Sequence, residues 1–322
     1  MADHAVDDDL DGDIFIYRGG RAPRHVVTHV RIDRSQDKIE DNAFYGCPLL
    51  EQVDTHDGLR KIGKWTFCGC ISLRKINLKS AVEIDERAFF MCDNLADAEF
   101  GDRLETIGIG TFSQCTSLKH LKLPSIITIG PIAFNDCKLL ADVEFSERLV
   151  TIGRGAFSNC KRLRRIAMPL KRDLFEFSDM WQRWTQFDNC EQLKRVDIVG
   201  GVHETVASLH MESWKTEMIS EINRINQVLP DTPADDKAGE IREWMDSVID
   251  EFEHYKSEHC RYVKEGITLL ELALWKAKLC EKEDERKTKK AKIDAEIARK
   301  ERRVTCGADM VIKNVLPFLQ LD

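Results

Sequence analysis

From Ala43 onward the apolar positions return in a fixed order: Phe, Cys three residues later, Leu-x-x-apolar-x-apolar, then Ile-Gly. The phrase "AFYGCPLLEQV" comes back as "TFCGCISLRKI", "AFFMCDNLADA", "TFSQCTSLKHL", "AFNDCKLLADV" and "AFSNCKRLRRI". Its phenylalanines stand at Phe44, Phe67, Phe89, Phe112, Phe134, Phe157 and Phe187, in steps of 23, 22, 23, 22, 23 and 30. Cys47, Cys70, Cys92, Cys115, Cys137, Cys160 and Cys190 keep the same steps. Self-similarity at about 20–29 residues predicts a solenoid in which each copy is one coil.

Within a copy, the alternating ending (Leu73, Ile76, Leu78, or Leu118, Leu121, Leu123) predicts a short strand with its apolar side inward. The Ile-Gly pairs at Gly63, Gly108, Gly130 and Gly153 read as tight corners where glycine supplies a positive φ. The Ala/Thr-Phe-x-x-Cys stretch then reads as a helical turn on the opposite side. A degenerate copy without Phe or Cys runs through Val27, Val30, Ile32 and Ile39, which brings the count to eight strands.

These units resemble leucine-rich repeats of the BspA-like type, found in bacterial surface proteins and in many eukaryotic ones, over residues 24–203. The resemblance implies a parallel-sheet α/β solenoid and a role in protein binding, and no particular activity. Glu40 and Asp85 stand where the corner glycine is expected.

The alternation of 23 and 22 has a counterpart in charge. Outward strand positions are acidic in one copy (Asp54; Asp97, Glu99; Asp142, Glu144) and basic in the next (Lys75, Lys79; His120, Lys122; Arg165). In an in-register parallel sheet each charge would sit between opposite neighbours, and Lys122 would lie between Glu99 and Glu144. A face neutralised strand by strand makes a poor cradle for a phosphate backbone.

After Gly200-Gly201 the period becomes helical. Trp214, Met218, Ile222, Ile225 and Leu229 form one stripe, and Ile241, Trp244, Met245, Val248, Ile249 and Phe252 another. "GITLLELALWKAKL" is apolar nearly all round and reads as a buried helix. The expected organisation is an acidic, disordered tail at 1–23, the solenoid at 24–203 and an all-α bundle or coiled-coil-like domain of about four helices at 204–322. Residues 276–303 hold 12 basic and 7 acidic side chains, and 286–303 is a candidate nuclear signal.

The 322-residue chain carries a net charge of −8 and 11 cysteines. With no apolar export segment in "MADHAVDDDL", the cysteines are expected as reduced thiols in the cytoplasm, with the nucleus as alternative, and not in a secreted protein. No apolar run reaches the ~18 residues of a membrane span. Asp7, Asp9, Asp11 and Gly12 imitate a calcium loop, but Arg18 occupies the place of its bidentate glutamate. No phosphate loop, nucleophile elbow or zinc-protease motif occurs. No catalytic, cofactor or metal residue is therefore assigned.

The last, longer step places extra residues in the insertion 170–187, "LKRDLFEFSDMWQRWTQF". Insertions in repeat arrays map to one face, and clustered aromatics with Arg suit contact surfaces. Phe175, Phe177, Trp181, Arg183 and Trp184 are the candidate partner-binding residues, with a seat for the helical domain as the competing role. The sequence thus points to a non-catalytic interaction module or scaffold that binds a protein partner, with no membrane and no nucleic-acid ligand. The alternative is an enzyme or regulatory subunit with its site in the helical domain or its seam.

Overall fold

From His29 to Ile152 each coil makes two strands, one of three or four residues and one of two, and backbone hydrogen bonds join each coil to the next. The computed structural model describes residues 10–11, 14–176, 185–209 and 211–287. The strands in chain order are β1 Leu10–Asp11, β2 Ile14–Tyr17, β3 His29–Ile32, β4 Lys38–Ile39, β5 Gln52–Asp54, β6 Lys61–Ile62, β7 Lys75–Leu78 and β8 Glu83–Ile84. They continue with β9 Asp97–Phe100, β10 Thr106–Ile107, β11 His120–Leu123, β12 Thr128–Ile129, β13 Asp142–Phe145, β14 Thr151–Ile152, β15 Arg165–Pro169 and β16 Arg195–Val199. The long strands form a parallel sheet that runs β2-β3-β5-β7-β9 and, after a break in the ladder, β11-β13-β15-β16. The two-residue strands β4, β6, β8, β10, β12 and β14 build a second parallel sheet. That second sheet is the part of the coil at which the Ile-Gly pairs hinted.

Two readings of the coil are corrected. The Phe-x-x-Cys stretch is a run of turns, not a helical turn, because from Phe44 to Phe157 the residues two before and two after each Phe adopt left-handed backbone. Ile132 (φ 50) and Asp136 (φ 59) flank Phe134 in this way, and a left-handed residue cannot propagate a right-handed helix. The corner glycines, in turn, are not needed for a positive φ. A Cβ on Gly130 would lie 2.7 Å from the carbonyl carbon of Gly108 in the preceding coil, so glycine is there for close approach. Where Asp85 takes that place, its carboxylate pairs with Lys61 at 3.1 Å.

The interior is a single file of aromatic rings. Phe44, Phe67, Phe89, Phe112, Phe134, Phe157 and Phe187 are fully buried. Successive rings stack at 4.9–5.9 Å between centroids, each contact contributing about 0.5–1.5 kcal/mol beyond its area.

Both ends of the file are closed. At the N-terminal end the expected disordered tail is ordered in part. β2 pairs in parallel with β3, and buried Tyr17 tilts its ring against Phe44 at 5.1 Å. Strand formation follows from the alternating "IFIY", whose Phe15 and Tyr17 point inward. Residues 1–9 and 12–13 of that segment lie outside the described residues.

At the other end, helices α1 (Val202–Ala207) and α2 (Glu212–Val228) follow, and then a single 51-residue helix α3 (Lys237–Lys287). The Asn226 side chain accepts from the Val196 N–H at 2.8 Å and donates to the Val196 carbonyl at 2.9 Å. It thereby satisfies the open edge of β16 as a further strand would. Lys237, 1% exposed, donates to the Leu193 and Leu229 carbonyls, and its burial lowers its pKa. Trp244 is buried and donates to the Glu221 carbonyl at 2.9 Å.

The division into compact units does not fall at 203/204. One unit runs to Glu251 and takes in α1, α2 and the start of α3; the second begins at Phe252. "GITLLELALWKAKL" is not buried either: Leu269, Leu272 and Trp275 are 67%, 61% and 70% exposed. Burial of an all-round apolar helix needs helices on every side, and α3 is the only element of that unit among the described residues.

Candidate interaction surface

The recurrent cysteines are closed to chemistry. Each thiol donates to the carbonyl of the phenylalanine one coil back: Cys70 to Phe44, Cys92 to Phe67, Cys115 to Phe89, Cys137 to Phe112, Cys160 to Phe134 and Cys190 to Phe157, all at 3.1–3.2 Å. These six are fully buried and unpaired by disulfides. Burial pushes their pKa values up, that of Cys190 to about 12, so they remain thiols. Among the described residues, no group of three or more His, Cys, Asp or Glu could hold a metal ion. No helix there is long and apolar enough to cross a membrane.

What varies is outside. On the long-strand face, Lys75 opposes Asp97 in register. It reaches Asp97 at 3.2 Å and Glu99 at 2.5 Å, while Lys79 joins Glu99 at 2.7 Å. The two ammonium groups, Lys75 first, hold the Glu99 carboxyl down to about 2, and Glu99 raises the Lys75 pKa in return. Further along, His120 meets Asp142 at 3.3 Å, Lys122 meets Glu144 at 3.5 Å and Arg165 meets Asp197 at 2.5 Å. For Asp197, burial would raise the pKa, but hydrogen bonds from Arg195 and Arg165 outweigh it and the net shift is downward. The expected lateral pairing is therefore present on one side of the lysine-bearing strands (Lys75 with Asp97 and Glu99, His120 with Asp142, Lys122 with Glu144) and not on the other. Among the described residues Asp54 pairs with His29 and not Lys75, and Arg165 pairs with Asp197 and not with Asp142 or Glu144. Lys122 pairs with Glu144 and not with Glu99, because the ladder breaks between β9 and β11 and Glu99 is held by Lys75 and Lys79.

Of the five predicted contact residues, one is described. Phe175 is 3% exposed, bridges Ile152 in parallel and sets its ring edge-on to Phe187 at 5.6 Å. It continues the two-residue sheet as ordinary coil core, so it offers no surface to a partner. From Phe175 to Phe187 is 12 residues, against five from Ile152 to Phe157, which narrows the inserted material to 176–186. Phe177, Trp181, Arg183 and Trp184 lie outside the described residues. Nearby, Arg172 pairs with Asp250 at 2.5 Å, a seat on α3 that no sequence pattern announced.

Comparison with known proteins adds the following. A family model described as BspA type leucine rich repeat region matches in six copies, over residues 25–138 and 117–228. A crystal structure of a leucine-rich repeat protein of T. pallidum is 29% identical, covering 62% of this chain and 88% of that one, with a TM-score of 0.47. One from Bacteroides ovatus is 20% identical, covering 54% of each chain, with a TM-score of 0.36. Among curated proteins none matches.

Proposed function

We propose that this chain, which belongs to the BspA-type leucine-rich repeat family, is a non-catalytic interaction module that grips a protein partner with the outer surface of its solenoid. Leucine-rich repeat proteins generally mediate protein–protein interaction or surface binding, and a solenoid offers an extended surface for it. The carrying observation is the contrast between inside and outside. The interior is one file of Phe rings and hydrogen-bonded thiols, repeated coil after coil. The long-strand face instead changes its side chains at every coil. The aromatic insertion, through Phe177, Trp181, Arg183 and Trp184, would extend that surface. Unpaired thiols in the core fit a reducing compartment such as the cytoplasm or nucleus.

Cross-linking of the full-length protein to partners captured from its native source tests this reading. Cross-links should concentrate on the long strands and the insertion. Cross-links confined to residues beyond Phe252, with none on the solenoid, would overturn it.

A further inference from the structure

From β5 onward the residue just before each long strand forms a row along one rim of the sheet: Glu51, Arg74, Ala96, Lys119, Ala141, Arg164 and Lys194. Backbone hydrogen bonds join the row in two runs, Arg74–Ala96 and Lys119–Ala141–Arg164–Lys194. Ala96 N–H donates to the Arg74 carbonyl, Ala141 to Lys119, Arg164 to Ala141 and Lys194 to Arg164, at 2.8–3.1 Å. Its chemistry differs from that of the neighbouring face. There cations meet carboxylates, whereas Arg74, Lys119 and Lys194 on the rim are exposed and have no ion pair among the described residues. Arg164 reaches only the Gln192 side-chain oxygen, at 3.4 Å.

The 45-residue beat that alternates charge on the face alternates size on the rim. Ala141 stands between Lys119 and Arg164, and its small side chain leaves a cleft of about 170 Å³ lined by Lys119, His120, Leu139, Ala141, Arg162 and Arg164. No carboxylate lines it. Asp142, beside it, is engaged by His120, and Asp93 and Asp136 line a separate hollow with Lys138.

We propose that this rim is a docking track for an extended acidic polypeptide segment of the partner, with a carboxylate seated in the Ala141 cleft between Lys119 and Arg164. The proposal rests on the interaction reading above and specifies its ligand chemistry. Spacing supports it. Rim cations two coils apart are separated by about 10 Å at ~4.8 Å per coil, and an extended chain in the polyproline II form advances about 9 Å in the three residues of one turn, which returns every third side chain to the same side. Acidic side chains at every third position would therefore meet Arg74, Lys119 and Arg164 in turn. A nucleic-acid strand spaces its charges more closely, and the row has no Phe, Tyr or Trp on which bases could stack.

Fluorescence anisotropy of a labelled Glu-Gly-Ser repeat peptide against the full-length protein, at low and at physiological salt, tests the inference. The wild type should bind it more tightly than a peptide of equal charge with its glutamates in one block, and more tightly than a single-stranded DNA of equal charge. The Lys119→Glu/Arg164→Glu variant should weaken binding at least about tenfold, and so should Ala141→Glu, which fills the cleft. Arg148→Gln, on another side of the coil, should leave it unchanged. If the double reversal fails to fold by circular dichroism, Lys119→Gln/Arg164→Gln carries the same expectation with a smaller loss. No binding of the spaced peptide, equal binding by the rim variants, or tighter binding of the DNA would overturn the proposal. If it falls while native partners still cross-link to the solenoid, the rim assignment fails and the interaction reading stands.

Discussion

The Cys115 thiol donates to the carbonyl oxygen of Phe89 at 3.2 Å, one coil back in the stack. The same carbonyl accepts the Cys92 N–H at 3.3 Å, so from Phe44 to Phe157 each Phe oxygen ties its own coil and the next together. This explains a cysteine, and not merely a small apolar residue, at the repeated position. Alanine would fill part of the slot but leave the carbonyl with one partner fewer. Cys115→Ala should therefore cost about 1–2 kcal/mol in denaturant unfolding. Cys115→Ser, which keeps a donor, should cost less than Cys115→Val, which keeps apolar bulk alone.

The same thiols set an alkaline limit on the fold. Their folded pKa values lie above the ordinary 9.0 because burial penalises the thiolate. An unfolded chain thus loses these protons first as pH rises. Stability from this source is complete below pH 9 and is lost as pH climbs toward the folded values. Each ladder thiol steepens the fall by up to about 1.4 kcal/mol per pH unit. Melting curves between neutral and strongly alkaline pH should show this decline, and Cys115→Ala/Cys137→Ala should make it shallower. A slope unchanged by the double variant would mean that these thiols do not titrate on unfolding.

On the outer face the two lysine-bearing strands are not equivalent. Lys75 serves Asp97 and Glu99, whereas Lys122 serves Glu144 alone. Charge reversal at Lys75 should lower the melting temperature more than reversal at Lys122, and added salt should narrow the difference. The carboxyl of Glu99, held down to about 2, stabilises the fold above its ordinary pKa of 4.5, and this contribution is lost as pH falls toward 2. In Lys75→Met/Lys79→Met its NMR titration midpoint should move back up toward 4.5.

Asn226 closes the last long strand by bonding both backbone groups of Val196. Asn226→Ala should cost about 1–3 kcal/mol, the penalty for leaving backbone partners unmet at a half-buried edge. Hydrogen exchange at the Val196 amide should accelerate, whereas exchange at Ile76, deep in the array, should not change. Asn226→Asp, which can still accept but not donate, should fall between the two.

The repeat made the solenoid legible because every coil solves the same packing problem, and Phe112 and Cys115 hold the same places as Phe134 and Cys137. The strand register was legible from alternation, and with it the pairs Lys75–Asp97 and Lys122–Glu144. Caps were not. Tyr17 sits behind an acidic segment that resembles a loose tail, and only its ring against Phe44 reveals an extra strand. Asn226 and Lys237 act through single long-range contacts, 30 and 44 residues from their partners, and no period announces such contacts. Phe175 was misread because its neighbours in sequence are inserted while it is not. The rim cations were visible as letters, but that they make no ion pair among the described residues depends on how coils stack. The apolar stretch of α3 was read by hydropathy alone, which says that a surface prefers cover and not where cover is.

The central claim is that function resides on the outer surface of the solenoid while its interior is structural. Quantitative capture from the native source, with wild type, a surface variant and an interior variant compared, tests it most directly. Lys119→Glu/Arg164→Glu/Trp181→Ala/Trp184→Ala is the surface variant and Cys115→Ala the interior one, each first confirmed folded by its melting curve. The surface variant should lose the partner that the wild type and Cys115→Ala both retain. Full retention by the folded surface variant, or loss with Cys115→Ala while the fold persists, would contradict the account.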